Sequence, residues 1–326
     1  MTEPKSVKLK DISGVKINFG IKTGYNTAFI IDKTTRNQLV NANPENESII
    51  KPLIRGKDVK KWKLDYRDLF LIWTYVGVPI NNYKEVKVYL DQYDERLKKR
   101  GDKGDHWWEL RPCDYYDDFN KEKIVWSDMS TSPSFYKDNA SYFSINTVYI
   151  LTLENDNYNL DYLLALLNSK LLFWIFRQLG STIGDKGLRY FKQFVELLPI
   201  FPATVEQQQP FIKKSDQMLQ LNHELQEEVN GFKYWIEKEF NVDKLSKKLE
   251  KYYELSEDEF IDELRKKKVD TKSRKNREYL EREFTESLAT IKPLLQQIEE
   301  TDIEIDQMVY ELYGLTEDET KIIEDM

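Results

Sequence analysis

The chain is poor in the residues that staple small folds or hold metals. Its 326 residues include one cysteine, Cys113, and two histidines, His106 and His223. A lone thiol excludes an internal disulfide and leaves no cysteine cluster for a metal, so a reducing compartment is expected. Two histidines far apart in sequence argue against a histidine-based metal site. No apolar run is fit to cross a membrane. The most hydrophobic stretch is interrupted by Asn168-Ser169-Lys170, with Asp161 and Arg177 near its ends. Met1-Thr2-Glu3-Pro4-Lys5 lacks the apolar core of a signal peptide, and a cytoplasmic location is expected. No repeat of fixed period is evident.

Aromatic residues make up 13% of the chain and charged residues 33%. The aromatic share excludes a disordered chain. The length suggests two domains of about 100–200 residues each. The net charge of −8 is unevenly spread: residues 1–200 hold 30 Lys+Arg against 26 Asp+Glu, net +4, and residues 201–326 hold 19 against 31, net −12. The first part could meet nucleic acid through a local patch. The second suits a protein partner better.

The texture changes in the same place. Val15, Ile17 and Phe19 alternate as on a strand, and Ala28–Ile31, Ile49–Ile54, Leu69–Tyr75, Lys123–Ser127 and Asn146–Leu151 read as further strands. Tyr83–Lys99 reads as a helix with Val86, Leu90 and Leu97 inward. Asn159 to Gly180 reads as one buried helix, N-capped by Asn159 and ended by Gly180. Beyond Pro202, Phe211, Met218, Leu225 and Phe232 fall seven apart, and Leu288, Ile291, Leu295 and Ile298 continue later. These are seams of long amphipathic helices that could pair as an antiparallel, coiled-coil-like arm. Arg265–Lys275 is a basic turn between them. The expected fold class is α+β: a β-rich domain with buried helices over residues 1–204, then a helical spacer or docking domain over 205–326.

Catalytic motifs are missing. The chain has no phosphate-cradling Gly-x-x-x-x-Gly-Lys and no nucleophile elbow. A DNA methyltransferase would need a glycine-rich cofactor turn and an Asn-Pro-Pro-aromatic tetrad; Asn43-Pro44-Glu45 lacks the second proline and the aromatic. Glu85-Val86-Lys87, with Asp65 or Asp68 upstream, has the spacing of a Mg²⁺ nuclease site, and also that of a solvated helix face. Four polar-basic loops follow apolar segments: Lys22–Asn26, Arg55–Lys60, Lys98–Lys103 and Thr182–Tyr190. Arg and Lys neutralise phosphates, and Arg and Asn read guanine and adenine edges. Trp107, Trp108 and Arg111, beside His106, could stack a base or pack in a core.

Gly20–Ile31 resembles the opening signature of the TaqI-like C-terminal specificity domain, the target-recognition domain of adenine-specific DNA methyltransferases and fused type II restriction-modification enzymes. Ile50–Val59 is similar to its second segment, Leu163–Leu171 to its penultimate helix and Tyr190–Ile200 to its closing one. Together the signatures span about residues 7–202. The resemblance implies a domain that docks in the major groove of double-stranded DNA and selects the sequence to be methylated or cut. The methyltransferase domain that normally precedes it is not seen. The chain is thus expected to be a fragment or to work with a separate catalytic subunit, and S-adenosylmethionine is expected there, with no cofactor here. Expected DNA contacts are Lys22, Thr23, Tyr25, Asn26, Arg55, Lys57, Lys60, Thr182, Lys186, Arg189, Tyr190 and Lys192. An interaction module that docks on or blocks such an enzyme, and a Mg²⁺ nuclease, are the alternatives.

Overall fold

A computed structural model describes residues 6–184 and 187–325. The fold is α+β. Two compact units are present: Met1–Ser215 with Ile305–Met326, and Asp216–Glu304. The first holds two four-stranded sheets. One runs in the order Phe135–Asp138, Lys123–Ser127, Val148–Leu153, Val15–Phe19, antiparallel throughout. Its register sets Ile150 against Val125 on one side and Asn18 on the other. The other runs Phe143–Ser144, Ile50–Ile54, Leu69–Ile72, Ile30–Asp32, with Phe143–Ser144 parallel to its neighbour. Leu53, Leu71, Ile72, Val125, Phe143 and Ile150 belong to one core.

Every residue of Lys123–Ser127 is buried, which explains its apolar run. Lys123 is the exception in chemistry. Its ammonium meets the equally buried Asp138 at 2.5 Å and donates to the Phe119 carbonyl at 2.7 Å. A charge taken fully out of water needs such a partner.

The stretch expected to form one helix from Asn159 to Gly180 forms two, Leu160–Asn168 and Lys170–Leu179. The cause lies in Asn168 and Ser169. The Asn168 side-chain amide pairs with both backbone groups of Phe135: it accepts from the N–H at 3.1 Å and donates to the carbonyl at 3.0 Å. Ser169 turns extended, donates to the Leu166 carbonyl at 2.7 Å and accepts from the Leu172 N–H at 3.3 Å, capping the second helix. Gly180 is extended at φ −77, not left-handed. Tyr83–Lys99 also divides, into Lys84–Asp91 and Asp94–Lys99. Asn26–Phe29 is a helical turn, and only Ile30–Asp32 of that region is a strand.

The second unit is helical. It contains parts of the helices Val205–Glu239 and Arg274–Tyr313, and between them the helix Glu257–Lys266. The intervening residues bring aromatic groups of their own. Tyr252 stacks on Phe232 at 4.2 Å and Phe260 on Phe284 at 4.5 Å. This core was not foreseen from the seams. Within the basic turn, Arg265 pairs with Asp262, Lys266 with Glu263 and Arg274 with Glu278, at 2.7, 2.7 and 2.6 Å. Among the described residues no helix is long and apolar enough to cross a membrane.

Candidate nucleic-acid interface

Three of the four loops singled out in the sequence are tied, directly or through a neighbour, to one tight turn, Ile145–Val148, closed by a 2.9 Å bond from the Val148 N–H to the Ile145 carbonyl. Asn146 and Thr147 are its two central residues. The sequence pattern predicts a strand for both; the structure makes them a turn.

The first loop reaches the turn through backbone. The Gly20 N–H donates to the Val148 carbonyl at 2.8 Å, and the Asn146 N–H to the Ile21 carbonyl at 3.1 Å. A Cβ on Gly20 would lie 2.1 Å from the Ile145 oxygen, so only glycine fits. The second loop arrives through Gly56, whose N–H donates to the Thr147 hydroxyl at 3.1 Å. The fourth arrives indirectly. The Asp128 N–H donates to the Thr147 carbonyl at 2.9 Å, and the Tyr190 N–H to the Asp128 carbonyl at 2.9 Å. There Gly187–Arg189 pairs with Ser181–Ile183 on one side and Met129–Ser130 on the other. The third loop joins the first: the Arg100 guanidinium donates to the Thr23 carbonyl.

The individual side chains fare differently. Lys57, Lys60 and Lys192 are exposed and have no ion pair among the described residues. Lys22 and Arg189 are half-buried, over the rings of Phe19 (5.7 Å) and Phe191 (5.2 Å). Asn26 and Thr182 are exposed, though the Asn26 Oδ1 already accepts from the Thr23 hydroxyl at 2.6 Å. Tyr25 is half-buried against Tyr93, with Arg96 over its ring at 5.8 Å. Lys186 lies outside the described residues.

Three expected contacts are committed to the fold. Thr23 is 2% exposed and builds its own loop. Tyr190 is 3% exposed and stacks on Phe176 at 4.1 Å; burial pushes its phenol well above the usual range. Its aromatic character serves the core, where a ring gains most. Arg55 forks onto Asp58, with Nε at 3.0 Å and Nη2 at 3.1 Å from the two carboxylate oxygens. Arg100 is likewise structural. It lies over Phe29 at 4.5 Å, and burial lowers its guanidinium to about 10. Burial raises the Asp128 carboxyl above its ordinary range, and the nearby charge of Arg189 opposes the rise.

The other candidates disperse. Glu85 accepts from Asn46 at 3.2 Å, Lys87 lies over Trp108 at 5.6 Å, and Asp68 pairs with Lys33 at 3.2 Å. No group of three or more His, Cys, Asp or Glu is placed to hold a metal among the described residues. Trp107 and Trp108 are half-buried against the core, and His106 stacks on Trp108 at 4.5 Å.

Residues 51–200 match the model of the TaqI-like C-terminal specificity domain, so the likeness read from the sequence is shown there. The Gly20–Ile31 signature falls outside the matched range. Residues 204–309 match a domain of unknown function, DUF8810. No curated protein matches the chain. Among solved structures, that of the Type IIL restriction-modification enzyme MmeI in complex with DNA is similar, with a TM-score of 0.56 at 12% identity. The likeness covers 97% of this chain and 34% of that one, so the chain spans about a third of that protein's length. At this identity the likeness shows the fold.

Proposed function

Because residues 51–200 carry a TaqI-like C-terminal specificity domain, we propose that the chain is the DNA sequence-recognition part of a restriction-modification system. The observation that carries the proposal is the attachment of three of the four basic loops to the Ile145–Val148 turn, with Lys57, Lys60 and Lys192 lacking an ion pair among the described residues. The expected ligand is double-stranded DNA. Lys22, Lys57, Lys60, Arg189 and Lys192 would serve phosphates. Asn26, Tyr25 and Thr182 lie at the surface where bases or sugars could be met. Lys186 belongs to the same loop in sequence.

The chemistry would come from a methyltransferase or restriction domain, covalently joined or separate. Such a partner would bind S-adenosylmethionine; this chain's role needs no cofactor. A cytoplasmic setting, where such systems meet DNA, fits this role. The domain division at about residue 204, with a coiled-coil-like docking arm beyond it, belongs to the same proposal. The net charge of −12 over residues 201–326 favours protein over DNA as the partner of that part. A docking module that restrains such an enzyme is the second reading, and the same charge supports it.

The test is fluorescence anisotropy of a labelled duplex pool across a salt series. Five phosphate contacts predict a slope of log K against log salt of about −4.5, or about 500-fold between about 50 and about 200 mM. No binding at about 50 mM, with or without a methyltransferase partner, would overturn the proposal.

A further inference from the structure

We propose that the Asn146–Thr147 turn tip is the base-reading element of this surface, with Asn146 selecting an adenine edge; the inference rests on the DNA-recognition reading above. Base reading needs a side chain that is exposed, chemically uncommitted and rigidly mounted. Asn146 meets all three conditions.

The mounting comes from the loops around it. Besides its own closing bond, the turn receives the Ile54 carbonyl on the Ile145 N–H (3.3 Å) and the Ile21 carbonyl on the Asn146 N–H (3.1 Å). The Thr147 carbonyl takes the Asp128 N–H at 2.9 Å, and the Thr147 hydroxyl takes the Gly56 N–H at 3.1 Å. The tip is thus held from three directions, through backbone groups and the Thr147 hydroxyl, all of which a side-chain change at 146 leaves intact. Thr147 anchors; Asn146 is left to project.

The side chain itself is exposed, and its amide has no hydrogen-bond partner among the described residues. That is unusual for an asparagine in a turn, which commonly bonds nearby backbone. The other asparagine of the surface, Asn26, spends its carbonyl on Thr23. A free amide carries one acceptor and an NH₂ donor side by side, the complement of adenine N7 and N6 in the major groove. Cations on the adjoining loops, Lys57 and Arg189, would hold the phosphates on either side.

The experiment is selection from a randomised duplex pool, with wild type, Asn146→Ala and Lys57→Ala compared as full chains. Wild type should enrich sequences with a fixed A·T pair. Asn146→Ala should lose preference at that position by about 5- to 150-fold, with an unchanged salt slope. Its melting temperature should match wild type, which separates the effect from misfolding. Lys57→Ala should weaken all sequences alike and make the slope shallower by about 0.9. Asn146→Ala keeping every base preference, or wild type binding with none, overturns this inference while DNA recognition stands. Absence of any binding overturns the underlying reading.

Discussion

Arg55 and Lys57 are near neighbours, both cationic, and the structure pairs the first and leaves the second exposed. Arg55 makes a two-bonded fork onto Asp58, whose side chain is 3% exposed while that of Arg55 is 25% exposed. Such charge-assisted pairs are strong and directional. In Arg55→Ala the Asp58 carboxylate keeps only the Arg55 backbone N–H at 3.0 Å among its loop bonds. Breaking a fully buried pair costs about 3–5 kcal/mol, and the partial exposure of the arginine reduces this to about 2 kcal/mol. A domain of this size then loses about 4–8 °C of melting temperature. The salt slope of DNA binding should not move, because the guanidinium is not available to phosphate. Lys57→Ala should show the reverse: melting unchanged, slope shallower by about 0.9. Arg55→Ala/Asp58→Asn should recover part of the lost stability, since the orphaned charge is gone. Calorimetry and salt-series anisotropy on the same preparations decide the matter. If Arg55→Ala melts like wild type and makes the slope shallower, the fork is not the resting state of this arginine in solution.

Further substitutions probe the frame. Gly20→Ala sets a Cβ 2.1 Å from the Ile145 oxygen, and Gly56→Ala sets one 2.6 Å from the Ser127 hydroxyl and 2.8 Å from the Thr147 oxygen. Each should cost about 1–3 kcal/mol and weaken DNA binding by loosening the turn; an unchanged urea midpoint would refute this. Asn168→Ala leaves the Phe135 N–H without its side-chain acceptor, while the Phe135 carbonyl keeps the Trp62 N–H at 3.1 Å, and should cost about 1–3 kcal/mol in urea unfolding. The Asp32 carboxyl is held below its ordinary range by the Thr35 N–H that it caps, at 2.8 Å. Because the folded pKa is the lower one, the cap's stabilisation is present above the ordinary value of 3.8 and fades as pH falls through the folded value. Wild type should therefore exceed Asp32→Ala by about 1 kcal/mol near neutrality, with the gap closing in acid. A gap that widens in acid would contradict the sign.

Much of the frame was legible because it is local. Val15–Phe19 and Lys123–Ser127 form as strands where alternation or an apolar run indicates them. The α+β class and the long helices followed from periodicity alone. Ser169 shows where that reasoning stops. Its neighbours are strong helix formers, and the break accompanies the bonds that the adjoining Asn168 makes to the Phe135 backbone, far away in sequence. The loops at the surface were legible as loops, through glycine and charge. What each side chain does there was not. Thr23, Arg55 and Tyr190 look like ligands in composition and are claimed by Tyr25, Asp58 and Phe176. Commitment of a polar group depends on partners that sequence distance hides.

The same distinction separates the glycines of the frame from the tip of the Ile145–Val148 turn. Gly56 lies within the matched residues 51–200 and Gly20 before them, and both are places where a side chain would strike the frame of the Ile145–Val148 turn. They are constraints on backbone approach, so they can be written as a signature. Asn146 carries no such constraint: its side chain is exposed, with no hydrogen-bond partner among the described residues, and its backbone bonds are available to any residue but proline. A frame fixed by glycines and a tip free to vary is the arrangement a recognition module needs. On the proposed reading, changing the tip would alter which base is read while the fold's energy stays with the frame.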